Sequence, residues 1–370
     1  MHQSVELAKP APVASAAPSL PGGQAMAFRS DPAPEDWTAV ARWLEAQGHR
    51  LDLGEAPRQF AGGLANHNYR VMLDGAPAVF RRPPPGPLAH GASDMAREAK
   101  VLRALAPHFP LAPQCLAFCP DPAVIGVPFQ LLEWRPGTAV GGRLPEGFAQ
   151  DSHGWILPAL VEVLAGLHRL APGSVGLADL GKPSGFAARQ LRGWARRAEA
   201  AFADEAPATL PILLRMLEDA IPPDAPASLL HMDPKFDNLL LDPAARRAIA
   251  LIDWDMATQG PPAFDLAVLL SYWVEPDDPP EVHALEAVPS LAPGWPDRRT
   301  VVAAYAAAAG NRPADLAWYL ALARLRLAVA WMQLYRLWQR GALAGARYAG
   351  FAALAAAILA LAVARFGEDP

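Results

Sequence analysis

Only two cysteines, Cys115 and Cys119, occur in 370 residues. Neither has a partner histidine or a second cysteine pair at zinc spacing, so a disulfide framework and a structural zinc site are both excluded. The two thiols read as reduced and partly buried. A surplus of positive charge is also missing. The net charge is −5, which gives no electrostatic case for a nucleic-acid partner. No apolar segment follows a basic start, so the N-terminus does not read as a secretory signal, and the expected location is cytoplasmic. Residues 1–30, with APVASAAPSLPGGQ among them, have no periodic apolar face and read as a disordered Ala/Pro-rich tail. Long apolar runs are scarce too. The one exception, Tyr348–Ala364, is uncharged and flanked by Arg347 and Arg365. It is slightly short for a bilayer, and a buried last helix is the expected reading, with no membrane partner.

What the chain does have is concentrated in LLHMDPKFDNLLLDPAARRAIALIDWDMATQGPPAFDLA, Leu229 to Ala267. Two short apolar runs, Leu239–Leu241 and Ile249–Ile252, flank Asp242-Pro243, the pattern of a buried strand pair. His231-x-Asp233 precedes the first run, Asn238 lies five residues beyond Asp233, and Asp253 follows the second run. A tight hairpin brings Asn238 and Asp253 to one end, where two oxygen ligands suit a hard divalent cation carrying phosphates. Asp233 is then free to accept a proton from an attacking hydroxyl. H-x-D-x-x-x-x-N, an apolar strand and an Asp make up the phosphoryl-transfer arrangement of kinases. The stretch resembles the aminoglycoside phosphotransferase family, which has a kinase-like fold. More narrowly, it is similar to the bacterial phosphotransferases related to the kinase domain fused to acyl-CoA dehydrogenases.

That resemblance extends over roughly residues 34–366 and implies roles upstream. Glu35–Gln47 has helical periodicity. Arg58–Leu73 reads as a hairpin with a turn at Gly62-Gly63, beside Asn66 and Asn68, where the family places its nucleotide-covering loop. Glycine allows backbone amides to approach phosphate oxygens closely. Ala78–Arg82 reads as the third strand. A kinase-like site wants a cation there and a glutamate on the next helix to hold it; Arg81 and Glu98, the latter in the helix Asp94–Leu105, occupy those places. Most kinase-like enzymes have lysine where this chain has Arg81. Val127–Glu133 reads as a strand running into the hinge, where Glu133 is expected against the nucleotide. Leu157–Leu170 fits the long core helix of the second lobe, with His168 packed on it. Ala263–Trp273 reads as a buried helix, on which the family implies that Asp265 bonds the catalytic-loop backbone. Met232 departs from the usual Gly or Asn between the His and the Asp.

The expectation is therefore an α+β, protein-kinase-like two-lobed fold. A small antiparallel-sheet N-lobe covers 31–134 and a larger helical C-lobe covers 135–366. The reaction implied is transfer of the ATP γ-phosphate (GTP is not distinguished by sequence) to a small-molecule hydroxyl, with Mg²⁺. Asp233 and His231 are the catalytic residues, Asn238 and Asp253 the metal ligands. Arg81, Glu98, Gly62, Gly63, Asn66 and Glu133 line the nucleotide. The run MATQGPPAF between Asp255 and Asp265 leaves no room for a protein-kinase activation segment, so a protein substrate is not expected. A hydroxyacyl-CoA or hydroxy acid is the expected acceptor, with an aminoglycoside or another small alcohol as the alternative. The segment Ser271–Ala346 balances seven acids against seven bases, whereas a polycation site needs surplus carboxylate. The Arg189, Arg192, Arg196 helix face is a candidate for coenzyme A phosphates. A nucleotide-binding pseudokinase is the third reading, resting on Arg81 in place of lysine.

Overall fold

The structure is a computed structural model that describes residues 28–61, 66–84, 94–343 and 345–370. Most of the tail and the Gly62-Gly63 turn lie outside the described residues. Phe28, at the start of the described chain, bridges Phe60 and stacks on its ring at 5.1 Å.

The first lobe opens with α1 (Trp37–Ala46), capped by the Asp36 side chain. Its sheet holds β1 (Leu51–Asp52), β2 (Arg58–Gln59), β3 (His67–Leu73), β4 (Ala76–Arg82), β5 (Cys115–Cys119) and β6 (Phe129–Glu133). The strands run antiparallel in the order β1-β3-β4-β6-β5, with β2 added on β3. Successive strand residues point to opposite faces. Tyr69, Val71, Phe80, Phe129 and Leu131 therefore face inward, against Val40 and Leu44 of α1. The same alternation sends Arg81 to the other face, in register with Asn68 on β3 and Gln130 on β6. There α2 (Met95–Leu105), capped by Asp94, supplies Glu98. The expected strand at Val127–Glu133 begins two residues later, at Phe129.

The second lobe contains α3 (His153–His168), α4 (Phe186–Phe202), α5 (Thr209–Asp219), α6 (Pro262–Ser271), α7 (Arg298–Ala309), α8 (Leu316–Gln339) and α9 (Phe351–Ala364). Between them lie two small antiparallel sheets. One pairs β9 (Leu239–Asp242) with β10 (Arg247–Leu251) and with β7 (Thr138–Ala139). The other pairs β8 (Ser228–Leu230) with β11 (Thr258–Gly260). The hairpin read from sequence is thus present, turning at residues 243–246, with a bulge between Ala248 and Ala250. Among the described residues, Ala346–Ala364 has a length and apolarity sufficient to cross a membrane. Its helical part, α9, buries Phe351, Leu354, Ala355, Ile358 and Leu359 and packs on α8 and α5, as a core helix does. Tyr305, Trp318, Tyr319 and Trp331 are core residues as well.

The loop after β8 is fixed from below by Asp265, fully buried in the first turn of α6. Its carboxylate accepts from the backbone N–H of His231 at 2.7 Å and of Met232 at 2.8 Å. His168 Nε2 lies 3.3 Å from the same carboxylate, and its Nδ1 lies 2.7 Å from the Tyr305 hydroxyl. Asp265→Ala leaves two buried amides unpaired. Hydrogen bonds to charged groups are worth about 1.5–3 kcal/mol each, so the expected loss is about 3–5 kcal/mol. Asp265→Asn keeps one acceptor oxygen and should lose roughly half of that. Urea unfolding monitored by tryptophan fluorescence checks both.

Candidate active site

Arg81 is the centre of the charge arrangement. Its Nε donates to Glu98 at 2.8 Å, one terminal nitrogen bonds Asp253, and Asp255 lies 3.8 Å from that same nitrogen. Arg82 faces the other way, bonded to Glu35 and, at 2.9 Å, to the Pro83 carbonyl. Strand alternation thus decides which of the two adjacent arginines serves the site. Glu98 is 1% exposed. It also accepts from Gln130 at 2.5 Å and from the Trp254 backbone N–H at 3.1 Å. Arg97 reaches the Ala257 carbonyl at 3.0 Å, tying α2 to the same segment.

One guanidinium faces three carboxylates. Burial, reinforced by the Asp253 and Asp255 charges and opposed by Arg81, pushes Glu98 up to about 7. Burial and the repulsion of Asp253 push Asp255 up to about 6. The cluster lacks positive charge, and all its donors are oxygens, which suits Mg²⁺. Ile252 N–H bonds the Asn238 carbonyl at 2.8 Å, so the hairpin does bring Asn238 beside Asp253. Asn238 donates its amide to the Asp233 carbonyl at 2.9 Å and to its carboxylate at 3.3 Å, leaving its amide oxygen available to a cation. Asn66 donates to Asp255 at 3.3 Å, and its own side-chain oxygen is buried and has no partner among the described residues.

Asp233 faces the opposite side of the catalytic loop. Lys235 Nζ lies 3.2 Å from Oδ2, and Arg326 of α8 lies 3.3 Å from Oδ1. Burial would raise this carboxyl, but Lys235, Arg326 and His231 outweigh it and bring it down to about 2. His231 is fully buried, its Nε2 2.9 Å from the Ile252 carbonyl and its ring 4.7 Å from that of Trp254. Its ring is enclosed within the loop, tied to the segment that leads to Asp253. Met232 and Asp253 both have positive φ, 75° and 73°. That backbone explains why Gly or Asn suits the position of Met232, since a left-handed conformation costs other residues about 1–2 kcal/mol.

Glu133 does not join the cluster. The pairing of β4 with β6 sets it opposite Ala78, and its carboxylate accepts from Gln114 N–H at 3.1 Å and pairs with Arg135 at 2.8 Å. Gly62 and Gly63 lie outside the described residues. Arg81, Glu98, Asn66, Asp253, Asn238, Asp233 and His231 are brought together. Sequence reasoning missed Asp255, Gln130, Lys235 and Arg326 as site residues. Lys235 was legible as the cation inside HMDPKFDN; Arg326, 93 residues from Asp233, carried no local signal. On α4, Arg189 is turned onto the carbonyls of Lys182 and Ser184, while Arg192 and Arg196 are exposed.

A profile of the phosphotransferase enzyme family matches residues 56–301. The chain belongs to this family. Acyl-CoA dehydrogenase family member 11 of Gallus gallus is 34% identical over 223 residues, 59% of this chain and 28% of that protein. Family member 10 of Mus musculus is 30% identical over 217 residues, 58% of this chain and 20% of that protein. The chain therefore spans less than a third of these relatives. A Ralstonia eutropha protein provisionally assigned as an aminoglycoside phosphotransferase has TM-score 0.73 at 23% identity, covering 90% of this chain and 98% of that one. An aminoglycoside phosphotransferase solved with AMP-PNP and hygromycin B has TM-score 0.55 at 17% identity, covering 90% of this chain and 100% of that one. The kinase-like α+β fold is thereby established, and this family member is a phosphotransferase.

Three substitutions probe the arrangement. Arg81→Ala should raise the nucleotide KM and lower kcat together, because phosphate contacts strengthen toward the transition state. Arg82→Ala, which breaks the pair with Glu35, should lower thermal stability instead. Met232 sets backbone strain against burial. It is 5% exposed, and burying such a side chain is worth about 1.5–3 kcal/mol, more than the strain. Met232→Gly should thus destabilise by about 1 kcal/mol net, read from the urea midpoint.

Proposed function

We propose that this phosphotransferase moves the γ-phosphoryl group of ATP to a hydroxyl of a small molecule, with Mg²⁺ present. The observation that carries the reading is the division of one catalytic loop. The backbone of Asn238 is bonded beside Asp253 and the Arg81 cluster, while the Asp233 carboxylate is paired with Lys235 and Arg326 and stays partly exposed. Asn238, Asp253 and Asp255 would hold the metal, whose chemistry is to offset phosphate charge during transfer. Arg81, oriented by Glu98, would grip phosphate oxygens, and Asn66 would close over them. Asp233 accepts the hydrogen bond of the acceptor hydroxyl and aims its oxygen.

Its low pKa bears on how it acts. A carboxylate held at about 2 is too weak a base to ionise an alcohol before transfer. It takes the proton late, as the new oxygen–phosphorus bond makes that proton acidic, which fits a loose phosphoryl transition state. Lys235 and Arg326 keep Asp233 ionised and leave it pointing at the acceptor.

For the acceptor, a hydroxyacyl-CoA or related hydroxy acid is favoured over an aminoglycoside. The Ser271–Ala346 segment carries no carboxylate surplus, and two cations stand beside Asp233 where a polyamine would have to enter. The curated relatives are named as acyl-CoA dehydrogenases, although the matching segment is under a third of each. The aromatic residues of α7 and α8 lend less support than expected, since most are core. Near Asp233 the apolar surface comes instead from Trp194 and Met256, which flank Arg326.

Asp233→Asn should lower kcat by about 10²–10⁴, the usual worth of a positioned acid–base group, with nucleotide affinity unchanged. Asp253→Ala should weaken Mg-nucleotide binding. A coupled ADP-release assay with equilibrium nucleotide titration separates the two, and near-normal turnover by Asp233→Asn would refute the role of Asp233.

A further inference from the structure

Arg326 reaches the active site from the middle of α8 and is 8% exposed. Its terminal nitrogen lies 3.3 Å from Asp233 Oδ1 and 3.9 Å from the Met256 sulfur, and its guanidinium carbon is 5.8 Å from the Trp194 ring centroid. Among the described residues, Asp233 Oδ1 is the single oxygen that accepts from it. Arginine carries five N–H donors in a fixed fork. With one long hydrogen bond to protein, the guanidinium keeps donors that are open to a further partner.

The two oxygens of Asp233 are unequally engaged. Oδ2 faces Lys235 at 3.2 Å and Asn238 at 3.3 Å, whereas Oδ1 faces Arg326 alone. An incoming hydroxyl therefore finds its open lone pair on Oδ1. Two donors sharing one carboxylate oxygen stand about 4–5 Å apart. The reacting carbon of the acceptor then lies next to the guanidinium, with Trp194 and Met256 as an apolar wall beside it. His231, Lys235, Asp237, Asp255 and Tyr272 are the other ionisable groups around Asp233. An ammonium on the acceptor would meet Lys235 and Arg326 together; an oxygen acceptor would satisfy the unused donors.

We propose that Arg326 determines acceptor specificity by hydrogen-bonding an acyl oxygen, carboxylate or thioester carbonyl, carried within about three carbons of the phosphorylated hydroxyl. The assignment rests on the reading of Asp233 as the residue that aims that hydroxyl. It narrows the acceptor to compounds with a hydroxyl and an acyl group near each other, and excludes alcohols that lack the second oxygen.

The test compares matched acceptors with the 370-residue chain and Mg-ATP. 4-Hydroxypentanoate, its pantetheine thioester and pentan-2-ol share the reacting secondary hydroxyl, and pentan-2-ol lacks the second oxygen. The readout is the ratio of kcat/KM for each acyl compound to that for pentan-2-ol, which cancels any effect of a substitution on Asp233 itself. The wild type should favour one acyl compound by on the order of tenfold or more, since a site built to hydrogen-bond a group rejects the analogue without it. Arg326→Leu should bring that ratio close to one. Arg326→Lys should retain part of it for the free acid, which responds to charge. Preference for the acid over the thioester, or the reverse, identifies the source of the oxygen. A wild-type ratio near one, a ratio that survives Arg326→Leu, or no turnover of any of the three overturns the assignment. The phosphotransfer reading fails separately, because Mg-dependent ATP hydrolysis sensitive to Asp233→Asn needs none of these acceptors.

Discussion

One guanidinium between three carboxylates holds the active site together. Arg81 comes from the sheet of the first lobe, Glu98 from the helix behind it, and Asp253 and Asp255 from the second lobe. The ion pairs cross the junction between lobes and leave a deficit of positive charge at the place where a metal–triphosphate would bring it. They also explain why arginine can stand where lysine is usual. The fork offers Nε to Glu98 and a terminal nitrogen to Asp253 at once, a span that one ammonium covers less well. The departure from lysine thus fits a binding site and weakens the pseudokinase reading.

A second constraint operates beneath the catalytic loop. Asp265 holds two consecutive backbone amides of that loop and also meets His168, which is anchored by Tyr305 on another helix. The loop can hold Met232 in a left-handed conformation because its neighbours are over-determined. Buried side chains of three helices fix the direction in which Asp233 points. The charged pairs on its far side, Lys235 and Arg326, then set its ionisation.

Much of this was legible in the chain because it is local. Arg58–Leu73 and Ala78–Arg82 read as strands, Glu35–Gln47 and Asp94–Leu105 as helices, and the offsets from His231 to Asp253 follow from one loop and one hairpin. The partnership of Arg81 with Glu98 was legible through the expected strand and the helix after it. Contacts between distant segments were not. Arg326 belongs to a helix whose sequence reads as core, and no spacing rule joins it to Asp233. Of the aromatic residues of that region, Tyr305, Trp318, Tyr319 and Trp331 are core. Arg189 looked available on a basic helix face, yet it folds back on the carbonyls of its own N-terminal loop.

The short run between Asp255 and α6 has a consequence for control. In that run Thr258, Gln259 and Gly260 pair with β8, and Gln259 is fastened to the carbonyls of Ala178 and Gly181 at 2.8 Å and 3.2 Å. Many kinases place at this point a long loop that toggles between ordered and disordered states, and a covalent mark on it starts or stops the enzyme. Here the segment is already a strand with its backbone committed. No covalent mark is needed to order this segment, because its strand pairing and the Gln259 side chain already do so.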